Sequence, residues 1–249
     1  MAGHSKWKNI QRRKNAQDAK RGKVFMKLAK EIFVATKNGG GDPETNPSLR
    51  LAIDKAKSSN MPNENIERAI KKAAGDLDGV RYENVTYEGY GPGGAAVMVQ
   101  LLTDNKNRAA ADIRHAFSKN NGNMGENGCV SFMFNRKGLL VIERLENESD
   151  EEELLLQVIE VGGEEMITNE DSFEIYTSPE EFQEVKDGLE KSGLQFSSAE
   201  VTMVPETYAP LEDSDGLKML KLIDMLEYND DVQEVYHNAE ISDHVYDQI

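Results

Sequence analysis

From residue 137 onward the chain offers six elements in an order that few folds accommodate. Residues 138–143, 164–169, 172–177 and 198–204 have the length and composition of strands. Between the first two, Ser149 is placed to cap a helix running through Val161, with the acidic run 150–153 in its first turn. Negative charge is favoured there by the helix dipole, so the run reads as a helix start rather than a metal site. Between the last two strands, Ser178-Pro179 opens a helix through Lys191. A β-α-β-β-α-β order within a single unit is the ferredoxin-like arrangement.

The rest of the chain must be built around that unit. Residues 1–80 read as a helical bundle. A first helix follows a basic arm and stops at Gly39-Gly40-Gly41. Asn46 is a plausible N-cap with Pro47 in the first turn, and Leu49, Ala52, Ile53 and Ala56 give the second helix its apolar stripe. Asn60-Met61-Pro62 restarts the chain, and Ile66, Ala69, Ile70 and Ala73 form a third stripe ending at Gly75. Residues 82–90 and 95–102 are strands joined by the bend Gly91-Pro92-Gly93-Gly94. That bend leads into a strand, not a helix, so it reads as a turn rather than a phosphate cradle. A helix over 105–120, capped by Asp104 or Asn105, is followed by a flexible loop over 120–128 and a strand over 129–134. After Pro205 and Pro210, residues 215–227 form a helix and 232–236 a last strand, too little to fold alone. The expectation is an α+β protein of three units. These are the bundle 1–80, a discontinuous α/β domain of 81–134 and 206–249, and the ferredoxin-like unit 135–205 inserted into it.

Charge divides the chain the same way. Residues 1–41 hold eleven Lys or Arg and two acidic residues, a net +9 in a protein of net −16. Residues 1–80 sum to +8 and residues 81–249 to −24. Such a split points to a polyanion partner for the basic part. At about 100° per residue, Val24, Phe25, Leu28, Ala29, Ile32 and Thr36 share one helical arc, and Lys20, Lys23, Lys27, Lys30 and Lys37 the opposite one. The candidate nucleic-acid contacts are Lys6, Trp7, Lys8, Arg12, Arg13, Lys14, Lys20, Arg21, Lys23, Lys27 and Lys30. Trp7, the only Trp, either stacks on a base or pins the arm to the helices. Arg108, His115 and Lys119 share a face of the helix over 105–120 and offer a second contact, diluted by Asp112. Arg50, Lys55, Lys57, Arg68, Lys71 and Lys72 add positive charge outside the bundle's apolar stripes.

Other chemistries find little support. Cys129 is the only cysteine, so no intrachain disulfide forms, which fits a reducing compartment. No apolar run approaches a membrane span and no secretory signal is apparent. The basic, acid-poor N-terminus has features of a mitochondrial transit peptide, but its Lys bias, Trp7 and unbroken run into a packed helix argue against one. The expected location is the cytoplasm. The four histidines form no metal-ligand spacing, and no nucleophile elbow, P-loop or dinucleotide fingerprint occurs. Cys129 with His115 as nucleophile and base is a remote hydrolase reading, and core packing suits Cys129 better. Asp213-Ser214-Asp215-Gly216 begins like a calcium loop but lacks the remaining ligands. No enzyme, cofactor or metal is expected.

Several stretches resemble the YebC family. They are residues 1–7 (MAGHSKW), 16–23 (AQDAKRGK), 39–42 (GGGD), 60–62 (NMP), 66–71 (IERAIK), 87–94 (YEGYGPGG), 114–120 (RHAFSKN), 125–128 (GENG) and 222–238 (LIDMLEYNDDVQEVYHN). The resemblance runs almost from end to end. It implies the same three-domain layout and a non-enzymatic regulator of gene expression. Bacterial members are described as transcriptional regulatory proteins that bind DNA. The mitochondrial relative is a translational activator, and some bacterial members relieve ribosomes stalled on proline-rich stretches. The implied partner is therefore DNA or ribosomal RNA, with the acidic domains free to touch protein. An assembly adaptor, binding a basic partner through those acidic domains, is a further reading.

Overall fold

The computed structural model describes residues 21–75, 81–144 and 150–246. The described residues begin with three helices: α1 (Arg21–Gly39), α2 (Pro47–Ser58) and α3 (Asn63–Gly75). Leu28 and Ile32 of α1 are buried against Leu49, Ala52, Ile53 and Ala56 of α2 and Ile66 and Ala69 of α3, with Val24, Phe25 and Ala29 partly buried beside them. The apolar arc read from periodicity is thus the packed arc. One amide fixes the α1–α2 corner. Asn46 Oδ1 accepts the Leu49 N–H at 3.1 Å, capping α2, while its Nδ2 donates to Ala35 O and Gly40 O, both at 2.8 Å. A Cβ on Gly39 would lie 2.7 Å from Asn46 Cγ, and Gly40 has φ +88°, so this corner needs its glycines.

The middle unit contains β1 (Glu83–Tyr90), β2 (Ala96–Thr103), α4 (Lys106–Lys119) and β3 (Asn123–Met124). Next comes β4 (Phe134–Glu143), which opens the ferredoxin-like unit. That unit continues with α5 (Glu151–Glu160), β5 (Glu165–Thr168), β6 (Ser172–Thr177), α6 (Phe182–Lys191) and β7 (Ser198–Pro205). Its sheet has the order β5-β6-β4-β7, every neighbour antiparallel, as a ferredoxin-like unit requires. Leu140, Ile142, Phe173 and Ile175 meet Leu154 and Val158 of α5 and Val185 and Leu189 of α6.

The chain then returns through β8 (Ala209–Pro210), α7 (Asp213–Tyr228), β9 (Val232–His237), β10 (Ala239–Glu240) and α8 (Asp243–Tyr246). β9 pairs with β2, giving a sheet of order β3-β1-β2-β9. Strands on either side of the inserted unit therefore share one sheet. Val97, Val99 and Leu101 of β2 face α4 and α7, and Ala96 and Met98 face Val130 and Phe134 on the other side. Burial on both faces explains the nearly unbroken apolar run of β2. Among the described residues no helix is long and apolar enough to cross a membrane.

Three segments depart from the sequence expectation. Asn123–Met124, expected within a flexible loop, form β3 against the end of β1, and α6 starts at Phe182 rather than at Ser178-Pro179. Residues 129–134 are not a strand: Ser131–Met133 form a 3₁₀ turn, and β4 starts at Phe134. The cause lies in Glu88, whose carboxylate accepts the N–H groups of Gly128, Val130 and Ser131, each at 2.8 Å. Those donors are taken by a side chain and leave no ladder to form. The α5 cap is Asp150, which accepts the Glu152 N–H at 3.0 Å. Ser149, the expected cap, lies outside the described residues.

Candidate nucleic-acid interface

Of the expected contacts, Lys6, Trp7, Lys8, Arg12, Arg13, Lys14 and Lys20 lie outside the described residues. Arg21 opens α1, but its side chain is likewise outside the description. The central part of the lysine row is in view, and it does not face open solvent. Lys23 Nζ donates to Tyr228 O at 2.5 Å and pairs with Asp230 at 3.1 Å. Lys27 Nζ donates to Glu227 O at 2.9 Å. Lys30 Nζ reaches Asp230 O at 3.3 Å and Asp231 Oδ1 at 2.6 Å. The expectation of an outward row is therefore corrected for Lys23, Lys27 and Lys30.

The physical reason is the end of α7. Its last carbonyls lack helical partners and carry the negative pole of the helix dipole. Asp230 and Asp231 follow within three residues and add formal charge to that pole. Three amines spaced along one face of α1 complement it. Aromatic faces add to the grip: Lys23 Nζ lies 3.2 Å from the Tyr228 ring centroid and Lys30 Nζ 4.9 Å from that of Tyr82.

Asp231 is the centre of this clamp. It accepts from Lys30, from Thr103 Oγ1 at 2.8 Å and from Arg108 Nη2 at 2.9 Å. Burial alone would push its carboxyl up. The hydrogen bonds from Lys30, Arg108 and Thr103 outweigh that and hold it below the ordinary range. Arg108, expected as a phosphate contact, is thus shared between Asp231 and Asp104. Lys55 of α2 bridges Glu31 and Glu234. Burial lowers its pKa, but the two carboxylates reverse the sign and raise it. His115 and Lys119 stay exposed on α4 and take no part in the clamp.

Positive charge remains on the outer bundle. Arg50, Lys57, Arg68, Lys71 and Lys72 are exposed on α2 and α3. Lys57 and Lys72 have no side-chain partner among the described residues. Among the described residues Arg68 and Lys71 are held only by exposed pairs one helical turn away, with Glu64 and Glu67. The sequence showed these charges lying outside the apolar stripes, but the denser N-terminal cluster outranked them as site candidates. The clamp's acidic half had a readable signal too: Asp230-Asp231 just beyond a helix end is adverse to the dipole unless cations meet it.

The surroundings of Cys129 do not favour the hydrolase reading. Cys129 is half-buried in the Glu88-bound loop, and burial, reinforced by Glu88, pushes its thiol up, away from a reactive thiolate. No group of three or more potential metal ligands occurs among the described residues.

Comparison with known proteins gives consistent results over the chain. Residues 5–76 match a family model described as the TACO1/YebC protein N-terminal domain, and residues 82–239 one described as the TACO1/YebC second and third domain. A probable transcriptional regulatory protein of Geobacillus sp. (strain WCH70) is 70% identical over 242 residues, 97% of this chain and 98% of that one. The probable transcriptional regulatory protein YrbC of Bacillus subtilis (strain 168) is 64% identical, over 96% of this chain and 99% of that one. The crystal structure of a conserved hypothetical protein from Aquifex aeolicus superimposes with a TM-score of 0.76 at 51% identity, covering 91% and 93% of the two chains.

Proposed function

The chain belongs to the TACO1/YebC family, and from that premise we propose that it is a nucleic-acid-binding regulator of gene expression that grips DNA through its basic N-terminal part. One observation carries the reading: a net +8 over residues 1–80 against −24 over residues 81–249. The body is repelled by a phosphate backbone and the bundle attracted, so the molecule approaches in one orientation. The names of the relatives from Geobacillus and Bacillus agree with a regulatory role. Because the clamp occupies Lys23, Lys27 and Lys30, the contact surface is assigned to the N-terminal arm and to Lys57, Arg68, Lys71 and Lys72 on the outer bundle. Cations spread over two helix faces read backbone charge and shape rather than base edges.

Binding should therefore be steep in salt. About 6–10 phosphate contacts imply a loss of roughly 10³–10⁵ in affinity between 50 and 200 mM salt. Lys57→Ala, Lys71→Ala and Lys72→Ala should flatten the log–log slope by about one each. Affinity for duplex DNA that is indifferent to salt would overturn the reading. Chromatin pull-down run beside a sucrose gradient of lysate separates the targets. Promoter enrichment supports DNA, whereas co-sedimentation with ribosomal particles alone reassigns the same surface to ribosomal RNA and translation.

A further inference from the structure

A cleft of about 580 Å³ opens between α1, α3 and Tyr82, the residue just before β1, in the size range of small-ligand sites. Phe25, Met26, Phe33 and Met61 supply apolar wall. Tyr82 closes part of it, its ring edge-on to Phe33 with centroids 6.1 Å apart, so this aromatic surface is held in place. Met26 is 57% exposed, an apolar side chain kept at an open wall.

The polar lining is sparse and differs from side to side. α1 contributes Lys30, α3 contributes Asn65, Arg68 and Lys72, and the segment after α7 contributes Asp230. Lys30 is committed to Asp231 and sits over one part of the Tyr82 ring, and Asp230 Oδ1 is paired with Lys23. The uncommitted polar groups among the described residues are therefore those of α3 and the second carboxylate oxygen of Asp230. Among the described residues the Asn65 amide and the Lys72 amine have no side-chain partner. Among the described residues Arg68 pairs only with Glu64, and the two side chains are 68% and 83% exposed. Such a pair is weak and exchanges readily for a better anion. Aromatic and thioether walls favour a flat ring. Asn65 and Asp230 offer hydrogen bonds to a heterocycle edge, including its amino groups. Arg68 and Lys72 favour an anion carried by the same ligand.

We infer that this cleft takes one unpaired nucleotide, its base against Tyr82 and the thioether wall and its phosphate at Arg68 and Lys72. The inference deepens the proposed nucleic-acid function and rests on it. It adds to the proposed backbone contacts a site that single-stranded or flipped-out positions alone can fill. A base within a duplex is stacked on both sides and cannot enter.

Fluorescence anisotropy with the full chain tests it. The probes are a single-stranded oligonucleotide, the same strand with one central abasic site, the corresponding duplex, and AMP alone. Loss of one stacked base should weaken binding by about tenfold. Met26→Gln and Asn65→Ala, neither buried in the bundle core, should bring the intact-to-abasic ratio close to one while circular dichroism stays unchanged. Equal affinity for the intact and abasic strands overturns the cleft and leaves the proposed function standing. Absence of binding to every strand and to AMP at low salt overturns both. Binding of AMP alone, lost in the two variants, supports the cleft as a site for a free nucleotide and removes the regulator reading.

Discussion

Both carboxylate oxygens of Glu88 accept backbone donors from a loop forty residues further on. Oε1 takes Gly128, and Oε2 takes Val130 and Ser131. Glu88 is only 5% exposed. Burial would raise its pKa, but these donors outweigh it and hold the carboxyl below its ordinary value. Glu88→Gln removes the charge and turns an amide donor toward N–H groups. The variant should lose about 1–3 kcal/mol, read from chemical denaturation at neutral pH. The sign with pH follows from the direction of the shift. A carboxylate held low in the fold stabilises above its unfolded value of about 4.3 and loses that contribution as pH falls toward the native value. Wild type should therefore weaken more than Glu88→Gln below about pH 4.3, and a constant gap between the two proteins would exclude this role.

At the scale of elements, α1 shows what a sequence discloses. Periodicity located its buried arc, and Leu28 and Ile32 pack as that arc requires. It could not say what the polar arc faces, because the partner lies some two hundred residues away at the end of α7. The ferredoxin-like order was legible because hairpins and helix starts are local signals. The 129–134 segment was misread because its hydrogen-bond acceptor is a side chain on β1, which no local pattern reports. Site residues suffered for the same reason: charge density marked the basic region, but clamp and outer surface differ only in tertiary context. A double-mutant cycle separates them. Lys30 and Asp231 have side chains 14% and 11% exposed, and Lys30→Ala with Asp231→Asn should show about 1–3 kcal/mol of coupling. The exposed Arg68–Glu64 pair, treated alike, should show no more than about 0.5 kcal/mol. Equal couplings would mean that the lysine row is no more than solvated surface.

For the whole molecule, the clamp and the nucleic-acid surface draw on one pool of cations but answer to solvent differently. Lys23–Asp230 is partly screened, since Asp230 is 71% exposed, whereas Lys30, Arg108 and Thr103 enclose Asp231. The Debye length falls from about 10 Å at 0.1 M salt to about 3 Å at 1 M, which weakens exposed phosphate contacts far more than an enclosed pair. The bundle should thus stay docked on the body at salt concentrations that strip nucleic acid from it. Acid should act the other way round. Asp231 is held below the unfolded value of about 3.9, so its contribution is complete well above that pH and disappears as pH falls through it toward the native value. Small-angle scattering should report an unchanged radius of gyration from 0.1 to 1 M salt near pH 7 and an increase on acidification below about pH 4. In Asp231→Asn the low-pH step should shrink, because the titrating group at the clamp's centre is gone while Asp230 and the α7 carbonyls remain. Expansion driven by salt at neutral pH, with no difference between wild type and variant in acid, would show that the lysines of α1 do not hold the bundle to the body.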